Sequence, residues 1–453
     1  MTITPQQLRC VPLVGMVLVG FSVQAHAKPL NWIDPQIPSA LAPFADRVDA
    51  LATLAEDNIL IYQHPRQATA TPTERGVRHY QNVSFNSSAL VVSATPREVR
   101  QLLSDYRNYV GLFPTLTEAK PLSSQNGISQ MQYRIQVPVP IPLLSFDEKI
   151  ILQHQLEEHR LSTLMIDAPI QYGLGQFEWF GLPNGKTLVT LTQWGDLNAP
   201  KGFLVTTLLK ALPEVKLGIP NGVGAFVLES IRRRYDPDPT LGKISTTPKI
   251  IPQHTLSALQ TEQIKQLIQR SGGQAVVFAH PPVWLKTTKR PEKLFFSTSY
   301  AQVNANPQAI FDTLAVPSRY QQLFRQIKKI QLKPNPDGST NASIRVGLGL
   351  GVITIPYQIE LRTQQINANT ATYAANGGDI EFLHGRLSTQ PWTARSSLVS
   401  MTSGGKLGDD APFLLSLGKS LPYADMLPSI GAAPIFIERA NRYFQQVADK
   451  NTP

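Results

Sequence analysis

The sequence predicts an α+β protein built from two tandem copies of one domain, and three observations carry that prediction. A capped helix with its flanking strand occurs twice, 211 residues apart. After each occurrence, runs of alternating apolar and polar residues separated by turn formers read as antiparallel strands. Each set of strands leads into a long helical stretch that closes the unit.

The first copy of the helix lies in residues 92–116. Thr95 suits the N-cap, Pro96 the first helical position, and Glu98 completes a capping box. Val99, Leu102, Leu103 and Tyr106 then form one apolar face, and a second short helix ends at Pro114. The pattern returns over 303–327, with Asn306 as cap and Pro307 after it. Pro96, Tyr109, Phe113 and Arg134 have counterparts 211 positions on, namely Pro307, Tyr320, Phe324 and Arg345. Near the end of each copy Gly222 matches Gly431 and Glu229 matches Glu438, at a shift of 209. A chain of 453 residues exceeds one typical core, and two repeats of this size are domains rather than a solenoid.

In order, residues 1–27 read as a secretory signal. Arg9 is its positive end, 11–23 its short apolar run, and Ala25, His26 and Ala27 its small-x-small cleavage site. The run is too short and too broken by Pro12, Gly15 and Gly20 for a membrane span. Residues 28–43 are a proline-rich N-terminal arm. The first domain occupies 44–235: a helix at 44–56, a strand at 58–62, a Thr/Pro-rich loop at 67–76, then the capped helix. Met131, Tyr133, Ile135 and Val137 alternate with polar residues, the clearest strand of the chain. Further strands follow to residue 194. A helical segment at 203–212 and the prolines after it suggest a lid over 203–217. The closing helix spans 222–235, with Val223, Phe226, Val227 and Ile231 as its stripe; its simplest burial lays it across the concave face of the sheet. Residues 236–254 are a Pro/Thr-rich linker, and 255–448 replay the order as a second domain.

Composition narrows the function. The apolar and charged fractions, 42% and 16%, are those of a folded protein. The one cysteine, Cys10, lies inside the predicted signal, so the exported chain has no disulfide, thiol nucleophile or cysteine metal ligand. Export without disulfides suits a bacterial periplasm. The net charge of +10, or +9 once Arg9 leaves, fits transient contact with an anionic membrane surface better than nucleic acid in an exported protein. The densest basic run, Arg232 to Arg234, reads as a solvated helix C-terminus.

The residues also carry a family resemblance. Val92 to Val99, followed by Asp105, Tyr106, Arg107, Asn108 and Tyr109 and then Phe113 and Pro114, resemble the opening of START-like (SRPBCC) domains. They are similar in particular to the polyketide cyclase/dehydrase and coenzyme Q-binding branch. The resemblance covers about 81–235 and, more weakly, 294–447, where the Asp-Tyr pair is missing and Arg325 replaces the proline. It implies two helix-grip domains, each a curved antiparallel sheet wrapped on a long C-terminal helix with an apolar cavity between them. It also implies a hydrophobic small-molecule partner such as a lipid or quinone. Cyclase-type enzymes share the fold, and a protein-interaction module with collapsed cavities is a third reading.

Candidate sites follow from that expectation. Cavity-lining candidates are Tyr106, Tyr109, Phe113, Tyr133, Ile135, Trp179, Trp194 and Phe226 in the first copy, and Tyr320, Phe324, Trp392 and Phe436 in the second; any core also contains aromatics. His154 and His159 are spaced one residue too far apart for a helical zinc motif and lie on a hairpin, so no metal is assigned. Gly347, Gly349 and Gly351 read as a bent or bulged strand rather than a phosphate loop. His64 and His280 recur with a following proline and read as turn residues. Arg134 and Arg345 sit on the polar phase of their strands. No catalytic constellation is shared by both copies, and no motif requires a cofactor.

Overall fold

The computed structural model describes residues 32, 34–73, 76–138, 145–201, 206, 209–210, 215–237, 251–252, 254–286, 291–350, 353–407 and 426–450. The predicted signal and most of the predicted lid and linker lie outside the described residues.

The first copy begins with α1 (Val48–Ala55) and β1 (Ile59–Gln63), followed by the hairpin β2 (Gln67–Thr73) and β3 (Gly76–Val83). Next come β4 (Asn86–Val92), α2 (Pro96–Ser104) and α3 (Tyr109–Leu112). The meander is β5 (Leu116–Gln125), β6 (Ile128–Pro138), β7 (Ser145–Leu156), β8 (Arg160–Asp167), β9 (Gly173–Gly181) and β10 (Thr187–Gly195). The closing helix is α4 (Val215–Tyr235).

The second copy repeats this. It runs α5 (Ala258–Arg270), β11 (Val276–Ala279), the hairpin β12 (Val283–Lys286) and β13 (Pro291–Leu294), and β14 (Phe296–Val303). Then follow α6 (Pro307–Leu314), α7 (Tyr320–Leu323), β15 (Ile327–Pro334), β16 (Thr340–Leu350) and β17 (Ile353–Asn367). It ends with β18 (Thr370–Gly378), β19 (Ile380–Thr393), β20 (Ser396–Leu407) and α8 (Met426–Lys450).

Both capped helices form as the residues dictate. Thr95 accepts from the Glu98 amide and Glu98 reaches back to the Thr95 amide, while Asn306 accepts from Ala309. Among the described residues sixteen strands of the two copies join in one antiparallel sheet, ordered β15-β16-β17-β18-β19-β20-β14-β11-β1-β4-β10-β9-β8-β7-β6-β5, while the hairpins β2-β3 and β12-β13 are separate two-stranded sheets. The seam is β1 against β11, where Ile61 faces Val277 and Leu60 faces Phe278. Read outward from it, each half has the same strand order, so the copies meet as a dimer with a local two-fold does.

Helices cover both faces of the central strands. On one face α4 and α8 bury Ala225, Leu228, Ile231, Met426 and Ile430 against Ile61, Leu90, Val92 and Val277. On the other, α1 and α5 bury Leu51, Leu54, Ile264 and Ile268 against Leu60, Tyr62, Phe278 and Tyr300. The N-terminal arm docks on this second face: Ala40 and Leu41 are buried, and Glu178 accepts from Ser39 and from the Ala40 amide.

Several expectations need correction. Residues 67–73 form a strand rather than a loop, because β-branched Thr69 and Thr71 tuck under β3 at alternating positions. Pro220 does not separate two helices but lies inside α4, as Pro434 lies inside α8. Arg232 is buried and clamps Glu229 with two bonds of 2.7 Å, so it is not a solvated cap. Gly347 and Gly349 pair in unbroken register with β17, without a bulge. His64 and His280 are buried partners of strand hydroxyls rather than turn residues.

Candidate functional site

Two cavities lie where the strands run beyond the packed centre of the sheet. The first, of about 270 Å³, is walled by β5 to β10, by α3 and by residues 219–227 of α4. At about 30 Å³ per molecule, that is the volume of roughly nine waters. The second, about 230 Å³, lies among β15 to β20, α7 and α8. Leu116 and Ile327, Tyr109 and Tyr320, and Tyr133 and Ile344 are wall residues related by the shift of 211. Ile150 and Leu152 correspond through sheet register to Ile359 and Leu361, and on the closing helices Val223 and Val227 correspond to Ala432 and Phe436 at the shift of 209. The same positions therefore wall a cavity twice.

The predicted site residues divide. Tyr109, Phe113, Tyr133 and Trp194 line the first cavity, and Tyr320 and Phe436 line the second. Tyr106 stands behind the wall, stacked on His154 at 4.5 Å. Ile135, half-buried and one pleat beyond Tyr133, lies outside the wall. Trp179 shares the phase of the wall residue Phe177 but lies where α2 covers β9, in the core with Val99 and Leu103. Phe226 packs towards Tyr109 and Phe113, leaving the wall to Val223 and Val227. Phe324 packs behind Phe436 at 4.6 Å. Trp392 has the opposite phase from Gly385 and Leu387 on β19 and joins the core of the other face.

The hydroxyls of Tyr109 and Tyr320 are not offered to the cavities. Each donates back to its preceding helix, to Leu103 and Leu314 respectively, at 2.7 Å. Only their rings form wall.

The first cavity wall includes the polar side chains of His154, Thr163 and Gln193 besides Tyr133; sequence reasoning weighed His154 only as a metal ligand. The alternation of β7 turns it inward, fully within the wall, while His159 sits exposed in the following turn. Its Nε2 lies 3.1 Å from the Tyr133 hydroxyl and its Nδ1 2.9 Å from Thr163 Oγ1. Burial holds the imidazole neutral, its pKa lowered to about 3, and pushes the Tyr133 phenol up. Among the described residues that wall this cavity there is no Asp, Glu, Lys or Arg. The signal that could have found His154 is its phase: it sits four residues after Ile150, on the face that strand buries.

The second cavity departs at just these positions. Register places Ile344 for Tyr133, Thr363 for His154 and Tyr373 for Thr163. Opposite Thr163 stands Gly175, where a Cβ would meet nothing within 4 Å; opposite Tyr373 stands Gly385, where a Cβ would collide with the Tyr373 ring. The ring thus fills in the second copy the space that lies open in the first. The second wall also includes Lys406, which pairs with Glu381 at 3.5 Å.

Among the described residues no helix is long and apolar enough to cross a membrane, and no group of three His, Cys, Asp or Glu could hold a metal. His64 reaches Ser87 at 2.7 Å, and Ser87 reaches Thr192; His280 reaches Thr298, and Thr298 reaches Thr402. Both chains are buried on the face under α1 and α5, away from the cavities.

No family model and no curated protein matches the chain. Solved structures do. The di-domain ARO/CYC StfQ from the steffimycin biosynthetic pathway matches over 80% of this chain and 99% of its own, at 9% identity and a TM-score of 0.25. A START superfamily protein from Mycobacterium smegmatis matches over 33% of this chain and 98% of its own, at 16% identity and a TM-score of 0.27. A STAR-related lipid transfer protein from Xanthomonas axonopodis covers 37% of this chain and 92% of its own, at 11% and 0.25.

Proposed function

We propose that the protein is an exported, periplasmic binding or transfer protein that holds a lipid-like or isoprenoid molecule between sheet and closing helix, in helix-grip fashion. What supports this is the recurrence of one apolar wall at matched positions in both copies. Packing alone does not require space to be left there twice. Apolar area leaving water would drive binding, at about 25 cal/mol per Å². Val223, 43% exposed yet part of the wall, marks where the first cavity meets solvent. The basic balance of the chain would favour brief contact with anionic lipid during loading.

The cyclase-type alternative draws on His154 and Tyr133, titratable groups that face the cavity. Burial drives both away from neutral pH and keeps both uncharged, the reverse of what general acid–base catalysis requires. Binding is the better reading.

Native mass spectrometry of protein purified gently from its own compartment tests it. We expect a co-purifying apolar ligand, reduced in Gly175→Leu, whose Cβ would meet nothing within 4 Å and whose side chain would take up space of the first cavity. Protein that is free of ligand under all gentle conditions, and identical spectra for the two proteins, would count against the carrier.

A further inference from the structure

The chain Tyr133–His154–Thr163 has two proton arrangements within one set of heavy-atom positions. A neutral imidazole carries one N–H. With that proton on Nδ1, His154 donates to Thr163, and Nε2 accepts from the Tyr133 hydroxyl. The phenol oxygen then faces the cavity as an acceptor, and the Thr163 hydroxyl keeps its own proton to donate. With the proton on Nε2, Thr163 donates to Nδ1, His154 donates to the phenol oxygen, and the Tyr133 proton is free to point into the cavity. The forms interconvert when Tyr133 passes its proton to Nε2 and takes one from water in the cavity, while Thr163 receives the Nδ1 proton and gives its own up to water, so no charge appears in either form.

We infer that this chain is a reversible recognition point in the first cavity, selecting a neutral apolar molecule with one hydroxyl or carbonyl oxygen and accepting either form. The inference rests on the carrier reading and adds a ligand class to it. Three observations support it. Tyr133 and Thr163 both belong to the cavity wall, on either side of His154. Tyr106, stacked on the imidazole with 12° between the ring planes, holds the ring while the protons move. The second copy keeps the cavity but has Ile344, Thr363 and Tyr373 at these places, so the polar chain is not needed to build the fold. A carboxylate ligand finds no cation among the described residues of this wall, whereas an alcohol, ketone or quinone finds a partner of the required sense. The two oxidation states of one such molecule would both be held.

The test uses the full-length protein and three probes of one size: decane, 1-decanol and 2-decanone, titrated by displacement of a neutral fluorescent dye. The wild type should bind the alcohol and the ketone each about tenfold more tightly than the alkane at one of its sites, the magnitude of one hydrogen bond. Tyr133→Phe should remove both preferences. Thr163→Val leaves Nδ1 without a partner, and a buried bare nitrogen costs less than a buried N–H, so the proton moves to Nε2. The Tyr133 hydroxyl then points into the cavity, and since the ketone oxygen and the alcohol oxygen both accept from it, both preferences should survive. If the three probes bind equally to the wild type, the recognition point is refuted while the carrier stands. If Thr163→Val abolishes the ketone preference, the Nε2-protonated arrangement, and with it the reversibility, is refuted. If no probe binds, the carrier reading fails first. The wild-type comparison decides even where a variant does not fold.

Discussion

At the scale of single residues, Tyr109 and Tyr133 show how one residue type serves two ends. The rings stack at 5.9 Å in the same wall, yet the Tyr109 hydroxyl closes the end of α2 and the Tyr133 hydroxyl joins His154. Tyr109→Phe should therefore cost about 1 kcal/mol, the net value of one buried hydrogen bond, seen as a lower denaturant midpoint. Ligand preference should not change, whereas Tyr133→Phe should change preference. Equal effects of the two on ligand preference would contradict the assignment. The repeat had drawn attention to Tyr109 and Tyr320, because a kept aromatic is visible at a fixed shift. What each hydroxyl does was not visible, since that depends on a carbonyl six residues back meeting a ring that the short helix α3 turns towards it. His154 was missed for the converse reason: it does not recur, and its inward direction depends on the phase of a strand whose start lies beyond the prolines at 138–142.

At the scale of elements, the two capped helices and the meander were legible because local chemistry sets them: a cap side chain, a proline at the first position, a period of two. The closing helices were less so. Pro220 and Pro434 are strong breakers in isolation, but each lies in a helix held on the sheet by its other residues, and Gln193 donates to the Pro220 carbonyl at 3.2 Å. Tertiary packing outweighs the local cost. At the end of α4, Glu229 is buried with Arg232 across it and Arg233 3.3 Å away. Arg232→Met would strip the carboxylate of its two-point partner, and loss of about 3–5 kcal/mol is expected. The replacement of both, Glu229→Leu with Arg232→Met, should recover much of that. In the second copy the matching carboxylate, Glu438, pairs with Arg442 in a far more exposed setting, so Arg442→Met should cost well under 1 kcal/mol. Chemical denaturation of the four proteins checks the ordering; an equal loss at Arg232 and Arg442 would show that burial of the pair does not matter.

At the scale of the whole molecule, the repeat foretold two domains but not the seam that makes one sheet of them. A strand's partner across the molecule leaves no local trace: Ile59 to Ile61 read as an apolar strand whether they pair within a copy or between copies. Beside this seam lie the buried His64 and His280 and the half-buried His254, their pKa values lowered by desolvation to about 4, about 3 and about 4 respectively; His154, in the first cavity wall, is lowered to about 3. In the unfolded chain each would titrate near 6.5. Above that pH neither state binds the proton, and stability is independent of these groups. Between 6.5 and the folded value, only the unfolded state takes it up, so stability falls as pH falls, by about 1.4 kcal/mol per pH unit for each histidine. His254 and His280 lie with ring centroids 5.4 Å apart, and protonating one further disfavours the other. Because the seam histidines occupy the core shared by α1, α5 and both halves of the sheet, acid should unfold the two copies together rather than in sequence. Thermal melts from pH 7.5 to 4.5 should show one transition moving down steadily below about 6.5. His280→Gln, which keeps a hydrogen-bonding side chain between Asn58 and Thr298 without a titrating group, should flatten that slope. Two transitions separating with acid, or a slope indifferent to His280, would mean that the copies are stabilised independently of the seam.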